Sequence, residues 1–321
     1  MKPYIIYIAF IISLKGVAQD PVFTQFFMVP ETLNSSFTGA KKTTRSGIIH
    51  HTQWPGLNFS INTQFAFIDN WFEEVNSGFG ISILNHKETA TRYNFTQANF
   101  NYVHEIVLDN DWSFRPSIAF GVGVKDFGFQ NLLLEDQIKI YQGLINPNSI
   151  DPIDLNANRV FIDFGTSFLV YNQNSWVGLT LRHLNKPNIA MTTQGEAPLD
   201  IFISLHASLY IHSGYREESK VYALFNVMKQ GEYNRMDVGG RVTYDRFSFG
   251  LLAATNPIKT HPNSQLLTSL NAFLGMEWEG FKFGYSYDFN TTKIGRTGGV
   301  YEISIFYDFG NKRNCFGCPD Y

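Results

Sequence analysis

Two cysteines close to the C-terminus are the residues whose spacing most readily suggests chemistry. Cys315 and Cys318 form a CxxC motif, and the chain has no other cysteine. A zinc site needs four ligands, and no second CxxC or nearby histidine pair supplies the missing two. A thioredoxin-like role needs a strand-to-helix setting, which the last residues of the chain lack. The sequence favours a small disulfide loop that stiffens the tail, and it leaves partner docking and metal or redox chemistry open.

The histidine and serine side chains form no catalytic pattern. His206 and His212 share one face of a predicted strand, but six residues of strand separate them by about 20 Å, which excludes a shared metal ion. No serine near a histidine stands out as a lipase-like pair, and the chain has no GxSxG, P-loop or Rossmann glycine motif. We therefore predict that the protein is not an enzyme and that it holds no cofactor or metal.

Nine charged residues fall on the polar face of alternating segments. Successive strand residues point to opposite sides of a sheet, so parity places these charges with the small polar residues around them. On a lipid-facing side each charge would cost about 2 to 4 kcal/mol near mid-bilayer, whereas in a lumen it can be paired or hydrated. Two interpretations stay open: an ion-pair network that fills the lumen, and a charged channel or ligand-binding interior. The nine residues are Arg115, Lys125, Asp163, Arg182, Asp237, Arg241, Lys282, Asp288 and Glu302.

The segments that carry these charges alternate with a period of two. The stretch from Phe281 to Phe289 has an aromatic residue at every second position and small or charged residues between them. Most such stretches have about ten residues, the length with which a tilted strand crosses a bilayer. The sequence therefore predicts an all-β fold, a transmembrane antiparallel β-barrel of about fourteen strands. We expect the strands near residues 46–53, 57–68, 77–87, 93–106, 112–127, 160–171, 175–184, 198–213, 219–228, 233–244, 246–255, 266–278, 281–289 and 299–309.

The composition favours a membrane barrel over a soluble β protein. Aromatic residues make up 16% of the chain and charged residues only 17%, below the usual quarter. The polar faces are rich in Gly, Ser, Thr and Asn, which suits an enclosed lumen better than bulk water. The net charge of -3 argues against a nucleic-acid partner. Tryptophans near the predicted strand ends fit aromatic girdles at the two membrane interfaces: Trp54, Trp71, Trp112, Trp176 and Trp278.

Four segments follow one another along the chain. Residues 1–18 have the pattern of a signal peptide, with Lys2, a short apolar stretch and small residues before Gln19. After them no apolar run reaches the length of a transmembrane helix. The remaining three segments are an N-terminal arm or plug at 19–45, an outer-membrane barrel at 46–309 with a long loop at 128–158, and a periplasmic C-terminal tail at 310–321.

Several different short motifs follow one another from about residue 19 to the end of the chain. They read DPVFTQF at 20–26, NSSFTG at 34–39, QWPGL at 53–57, GYSYDF at 284–289 and CP at 318–319. With these motifs the chain resembles the PorP/SprF family of outer-membrane proteins, which belong to the type IX secretion system of Bacteroidota. Ser35 and Phe37 depart mildly from the family pattern, which often has proline and tyrosine there.

The resemblance implies a role in secretion. Members of the family support export or surface attachment of large adhesins, including those of gliding motility, so the expected location is the cell outer membrane. The implied partners are a secreted adhesin or its C-terminal targeting domain, other type IX secretion components and outer-membrane lipid. The alternative is an outer-membrane channel for small hydrophobic molecules, resembling fatty-acid transport barrels. The candidate partner-binding residues are Phe23, Phe26, Trp54, Pro55, Cys315 and Cys318.

Overall fold

The computed structural model describes most of the chain after the expected signal peptide. It covers residues 19–57, 59–109, 111–127, 138–139, 144–145, 158–191, 195–213, 219–258, 266–292 and 297–310. The expected signal peptide, most of the expected loop at 128–158, and Cys315 and Cys318 in the tail lie outside the described residues.

Fourteen antiparallel strands form one closed sheet in the described part of the chain. The first strand pairs with the last, with Arg45 opposite Asp308 and Gln53 opposite Val300, so the sheet has no free edge there. The prediction of an antiparallel β-barrel is confirmed. The strands, β1 to β14 in chain order, are Arg45–Gln53, Ile61–Phe72, Ser77–Glu88, Asn94–His104, Ser113–Asp126, Arg159–Tyr171, Trp176–Arg182, Phe202–Ser213, Ser219–Gln230, Tyr233–Tyr244, Phe247–Thr255, Leu267–Trp278, Phe281–Asn290 and Val300–Asp308.

The remaining regular elements are short. Two residues, Ile106–Val107, pair with the start of β5, and Ile138–Lys139 pairs with Leu144–Ile145 outside the barrel sheet. Within the described residues, no helix has the length and apolar character to cross a membrane. The 3₁₀ helices are Pro30–Thr32, Ser35–Phe37 and Glu73–Val75.

The two faces of the sheet have opposite chemistry. In β13 the aromatic residues Phe281 and Phe289 are exposed on the outer face, whereas Lys282 and Asp288 are buried inside. The same alternation in the other strands covers the outer face with exposed apolar side chains, such as Leu251 at 70% exposure. A continuous apolar belt around a closed sheet is the surface that faces lipid.

Some strand boundaries differ from the sequence prediction for local backbone reasons. Trp54 has a φ of 58° and His183 a φ of 59°, a left-handed conformation that cannot continue a strand, so β1 and β7 end just before them. The strand expected at 57–68 begins only at Ile61, since the turn after Trp54 occupies its first residues. It also continues to Phe72, which still pairs with Ser77 of the next strand.

The tryptophans do not all form membrane girdles, which corrects the expectation from the sequence. Trp176 is fully buried in the lumen against Phe37, and Trp71 is buried with the Arg115 guanidinium 5.0 Å from its ring centre. Trp278, by contrast, is exposed at a strand end. Parity in the pleated sheet decides between lumen and lipid, and proximity to a strand end does not.

The connections divide into two sets, one at each rim of the barrel. At the rim where β1 starts and β14 ends, two turns have only two residues each, 245–246 and 279–280. We call it the short-turn rim. At the opposite rim most connections are longer, including 127–158, 183–201 and 291–299, although 231–232 is a two-residue turn, and we call it the long-loop rim. In outer-membrane barrels short turns face the periplasm and long loops face outward.

Candidate functional site: the lumenal segment and the rim cavity

Residues 19–44 run through the interior of the barrel, and we call them the lumenal segment. Gln25 contacts Ser304 in β14, Ser36 contacts Ser117 in β5, and Asn34 contacts His206 in β8. These strands lie far apart around the circumference, so only a chain inside the lumen can reach them all. Gln19 and Asp20 lie toward the long-loop rim, and the segment ends at the short-turn rim, where β1 begins.

Glu302 in β14 anchors the first part of the lumenal segment. Its two carboxylate oxygens accept the backbone N–H groups of Thr24 at 2.8 Å and Gln25 at 3.0 Å. The Thr24 hydroxyl donates to Asp288 at 2.7 Å, and His51 Nδ1 lies 2.8 Å from Glu302. A segment without regular structure must find partners for its backbone groups, and charged acceptors give the stronger hydrogen bonds.

Aromatic residues fill the space around this anchor. Phe23 packs edge-on against His51 with ring centres 5.8 Å apart, and Phe26 packs against Phe27 at 5.6 Å. Phe27 in turn meets Phe273 of β12 at 4.8 Å. Phe23 and Phe26 are almost completely buried, so these two candidate partner-binding residues contact the barrel and offer no outward surface while the segment is in place.

Two arginines of the wall donate to backbone carbonyls of the lumenal segment. Arg115 donates to Ser36 at 3.0 Å and Thr38 at 2.5 Å, and it pairs with Glu105 at 2.6 Å. Burial alone would raise the pKa of Glu105, but Arg115 and Lys42 outweigh it and hold that pKa below its ordinary value. Arg182 donates in the same way to the backbone carbonyls of Thr32 and Leu33.

Glycines mark the closest approach of the segment to the wall. A Cβ atom on Gly78 of β3 would lie 2.4 Å from the carbonyl oxygen of Thr38. Gly39, with a φ of 67°, makes the turn at this point, and a Cβ there would lie 2.9 Å from the carbonyl oxygen of Asn70. Only glycine combines this backbone angle with so close a contact. The NSSFTG motif is therefore shaped to the inner surface of the barrel.

A charged triad fixes the first residues of the segment. His183 lies between two carboxylates, with Nε2 at 2.9 Å from Asp20 and Nδ1 at 2.9 Å from Asp163. Burial disfavours the imidazolium, but the carboxylates outweigh it and raise the pKa of His183 to about 9. Burial opposes ionisation of Asp20 as well, yet His183 and Arg182 hold its pKa well below the usual range. His183 and Asp20 therefore carry opposite charges at neutral pH.

The other charges predicted from parity occupy separate places in the barrel. Arg241 lies with its guanidinium 4.5 Å from the Tyr222 ring centre, and Asp237 pairs with Arg235 at 2.8 Å. Lys282 pairs with Glu277 at 2.8 Å near the short-turn rim. Lys125 is half-buried, with its ammonium 5.5 Å from the Tyr93 ring centre. Arg241 also lies 5.9 Å from the ring centre of Phe27 in the lumenal segment. The structure thus brings Arg115, Arg182, Asp163, Arg241, Asp288 and Glu302 to the lumenal segment, and it places Lys125, Asp237 and Lys282 elsewhere along the wall.

Sequence reasoning missed two important arginines. Arg45 pairs with Glu31 of the lumenal segment at 2.6 Å and lies 3.4 Å from Asp308 of β14, so it joins the segment to the seam of the barrel. Arg235 lines the long-loop end of the lumen. Parity could have found both, because Arg235 is two residues before Asp237 and Arg45 is two residues before Gly47 on the inner face.

A cavity of about 450 Å³ opens at the long-loop rim among mostly polar residues, and we call it the rim cavity. Gln19, Asp20 and Trp54 line it, and Pro55 is exposed in the same turn as Trp54. Deeper in the lumen, the spaces between segment and wall are small, at about 70 Å³ and 10 Å³. Among the described residues, no three His, Cys, Asp or Glu side chains are grouped so as to hold a metal ion.

A family model described as type IX secretion system membrane protein PorP/SprF matches residues 16–307 of the chain. The chain belongs to the PorP/SprF family. This confirms the resemblance seen in the sequence motifs, and the filled barrel is therefore an outer-membrane protein with a role in type IX secretion. Family and fold are of non-enzymatic types. No curated protein matches the chain.

Solved structures with a similar architecture are also outer-membrane barrels. The outer membrane protein Omp33 of Acinetobacter baumannii is similar with a TM-score of 0.46 and 5% identity, over 84% of this chain and 100% of that one. The KdgM porin gives 0.37 and 10%, over 83% and 99%. A mutant of the Rhodopseudomonas blastica porin gives 0.34 and 8%, over 83% and 99%. These distant likenesses carry no argument about function.

Proposed function

We propose that this PorP/SprF protein supports secretion or surface attachment of a cargo adhesin by recognising the cargo or the type IX machinery. The cargo would be bound through its C-terminal targeting domain, and in gliding cells the adhesin would be one that serves motility. The mechanism is binding and not catalysis. Support comes from family membership together with a barrel whose interior is already occupied by its own chain.

The filled lumen is the observation that carries the proposal. A barrel whose interior is packed leaves its rims, loops and tail as the surfaces for protein recognition. Strand addition to the barrel wall is not available within the described residues, because β1 and β14 already pair along their whole length. Partner contact at the long-loop rim would involve Trp54 and Pro55. The loop at 128–158 and the tail with Cys315 and Cys318 are further docking candidates.

The alternative function, a channel for small hydrophobic molecules, has less support. Such a channel needs an apolar passage, whereas the described cavities inside the lumen are small and the larger one at the rim is lined mostly by polar residues. Displacement of the whole lumenal segment would be required to open a passage. That would break the contacts of Arg115, Arg182 and Glu302 with its backbone.

The direct experiment is purification of the tagged protein from its own cells in a mild detergent. We expect a large exported protein or type IX components to be retained with it. Trp54→Asn tests the long-loop rim, because asparagine tolerates the left-handed backbone of this position. Trp278→Asn is the matched control, since it removes an exposed tryptophan at the short-turn rim. Retention of no other protein from cells that make the secretion system would contradict the proposal.

The tail has a test of its own. Deletion of residues 310–321 is expected to leave the barrel inserted in the outer membrane and to block adhesin display on the cell surface. Antibody labelling of intact cells measures display, and the mobility shift of unheated protein in gel electrophoresis measures barrel folding. Normal display in the deletion strain would remove the tail from the docking proposal.

A further inference from the structure

One acidic and one basic side chain of the rim cavity have polar atoms that make no hydrogen bond among the described residues. Asp288 is only 5% exposed, and its Oδ2 accepts the Thr24 hydroxyl, but its Oδ1 has no hydrogen bond. Arg235 pairs through Nε with Asp237 at 2.8 Å, while its buried Nη2 has no hydrogen bond. Both side chains line the cavity. An acceptor and a donor are thus offered to the same space.

Unpaired buried groups of this kind point to a missing partner. A buried donor or acceptor without a hydrogen bond costs about 1 to 3 kcal/mol, and more when the group is charged. A third unpaired group, Oδ1 of Asn256, lines the same cavity from the end of β11. The ligand that fits must both donate and accept hydrogen bonds within a small volume. A hydroxyl group does both through one oxygen atom.

Most of the other side chains in the lining are polar. Hydroxyl and amide side chains dominate, and Trp54 and Tyr233 add two amphipathic aromatic rings. At about 450 Å³ the cavity falls within the range of about 300 to 1,000 Å³ in which small-molecule ligands bind. Six of the polar lining residues are Gln53, Asn234, Thr255, Thr268, Ser269 and Asn290.

We propose that the rim cavity binds a saccharide unit, with adjacent hydroxyl groups donating to Asp288 and accepting from Arg235. The saccharide could come from a cell-surface polysaccharide or from a glycan on an exported protein, because both present the same hydroxyl chemistry at the outer rim. This inference stands apart from the proposed export function, since the cavity can bind sugar whether or not it contacts cargo.

The test is equilibrium binding to the full-length protein in detergent, measured by calorimetry. The probes are methyl glucoside, methyl mannoside and N-acetylglucosamine, with a short Gly-Ser amide peptide as the peptide probe. Saturable binding of at least one sugar and not of the peptide is expected. Asn256→Ala and Asp288→Asn are expected to weaken sugar binding about tenfold each, since each removes one acceptor. Asp245→Asn, an exposed carboxylate in a turn of the short-turn rim, is the matched control and leaves binding unchanged.

The source of the sugar is decided with two further ligands. Purified lipopolysaccharide of the host cell and glycopeptides released from its exported proteins are titrated in parallel, and the tighter one identifies the source. Absence of saturable binding by every sugar overturns the proposal. Equal sugar binding by the wild type and by folded Asn256→Ala and Asp288→Asn variants also overturns it, as does saturable binding of the peptide alone.

Discussion

At the residue scale, this barrel places charged side chains in its lumen, and several of them bind the lumenal segment. Arg115 and Arg182 donate to carbonyls of the lumenal segment, and Glu302 accepts two of its backbone N–H groups. Ion pairs within the protein interior are weak evidence for net stability, but removal of one partner leaves the other charge and the backbone uncompensated. Loss of any of these residues is therefore expected to weaken the hold of the barrel on the segment.

Arg115→Met is expected to destabilise the folded barrel by about 3 to 5 kcal/mol, because Glu105 and the carbonyls of Ser36 and Thr38 lose their partner. Urea unfolding in detergent micelles, followed by gel mobility, measures the change. Arg246→Ala, at an exposed turn of the short-turn rim, is the control and should change stability by less than about 0.5 kcal/mol. Equal stability of Arg115→Met and the wild type would show that these contacts do not hold the segment.

The charged triad predicts a dependence of stability on pH. The folded pKa of His183 is raised to about 9 from an ordinary 6.5, so its contribution is complete below pH 6.5 and is lost as the pH rises through 9. The carboxyl of Asp20, with its lowered pKa, stays ionised throughout this window and adds no slope of its own. His183→Gln should therefore cost roughly 2 to 4 kcal/mol at pH 6 and much less at pH 9.5.

The measurement is the urea midpoint of the wild type and of His183→Gln at both pH values. His104→Gln, which changes a histidine near the short-turn rim, is compared under the same conditions. An equal loss of stability for His183→Gln at pH 6 and pH 9.5 would contradict the assignment of a charged imidazolium between Asp20 and Asp163.

Parity allowed most of these side chains to be placed from the sequence, but not their partners. Arg115, Asp163 and Glu302 sit on polar faces that the period-two pattern already defines. Their partners lie in residues 19–44, which have no periodic pattern, so no rule of spacing connects Arg115 to Ser36 or Glu302 to Thr24. The buried Trp176 shows the same limit, because its lumenal contact is Phe37 of that segment.

At the scale of elements, the lumenal segment and the barrel wall are shaped to each other. Gly78 leaves room for the Thr38 carbonyl, and the left-handed turn at Gly39 directs the chain toward β1. Arg45 of β1 then pairs with Glu31 of the segment and with Asp308 of β14, so it joins the segment to the first and last strands of the sheet. Near the short-turn rim the segment therefore contacts the wall backbone to backbone, and such contacts cannot be relieved by rotation of a side chain.

Gly78→Ala is expected to loosen the segment without preventing barrel formation. The added Cβ would lie 2.4 Å from the Thr38 carbonyl oxygen, and neither backbone can move without breaking contacts of Arg115. Limited proteolysis of the inserted protein should cleave within residues 19–44 faster than in the wild type. Gly240→Ala, where the nearest atom is 3.3 Å away, is the matched control. Equal protection of the segment in Gly78→Ala and the wild type would refute the close fit.

Strand positions were well predicted where alternation was long, as in β13, and less well where a single backbone angle ended a strand. No side-chain pattern announces that Trp54 or His183 adopts a left-handed conformation, and a tryptophan rarely does so. Likewise, β8 shifts register between Tyr210 and His212, so parity cannot be carried from His206 across that point. Bulges and turn geometry are tertiary outcomes that the period-two rule does not contain.

At the scale of the whole molecule, closure of the sheet and filling of its lumen decide what the protein can do. The repeated alternating segments predicted a closed membrane barrel and its approximate strand number. The sequence could not show whether the lumen is open, because residues 19–45 could equally form an arm outside the barrel or a plug inside it. With residues 19–44 in the lumen, the only described cavity of useful size for a ligand lies at the long-loop rim. The outer surface faces the membrane, and the rims are the surfaces to which we assign recognition in the proposed function.

Ion conductance across a planar lipid bilayer tests most directly whether the lumen is filled. The wild-type protein is expected to insert without opening a steady conducting pore. A variant that lacks residues 19–40 but keeps the strands should conduct, provided that gel mobility shows a folded barrel. Steady pore currents from the wild type, equal to those of the deletion variant, would contradict the account of a barrel closed by its own N-terminal segment.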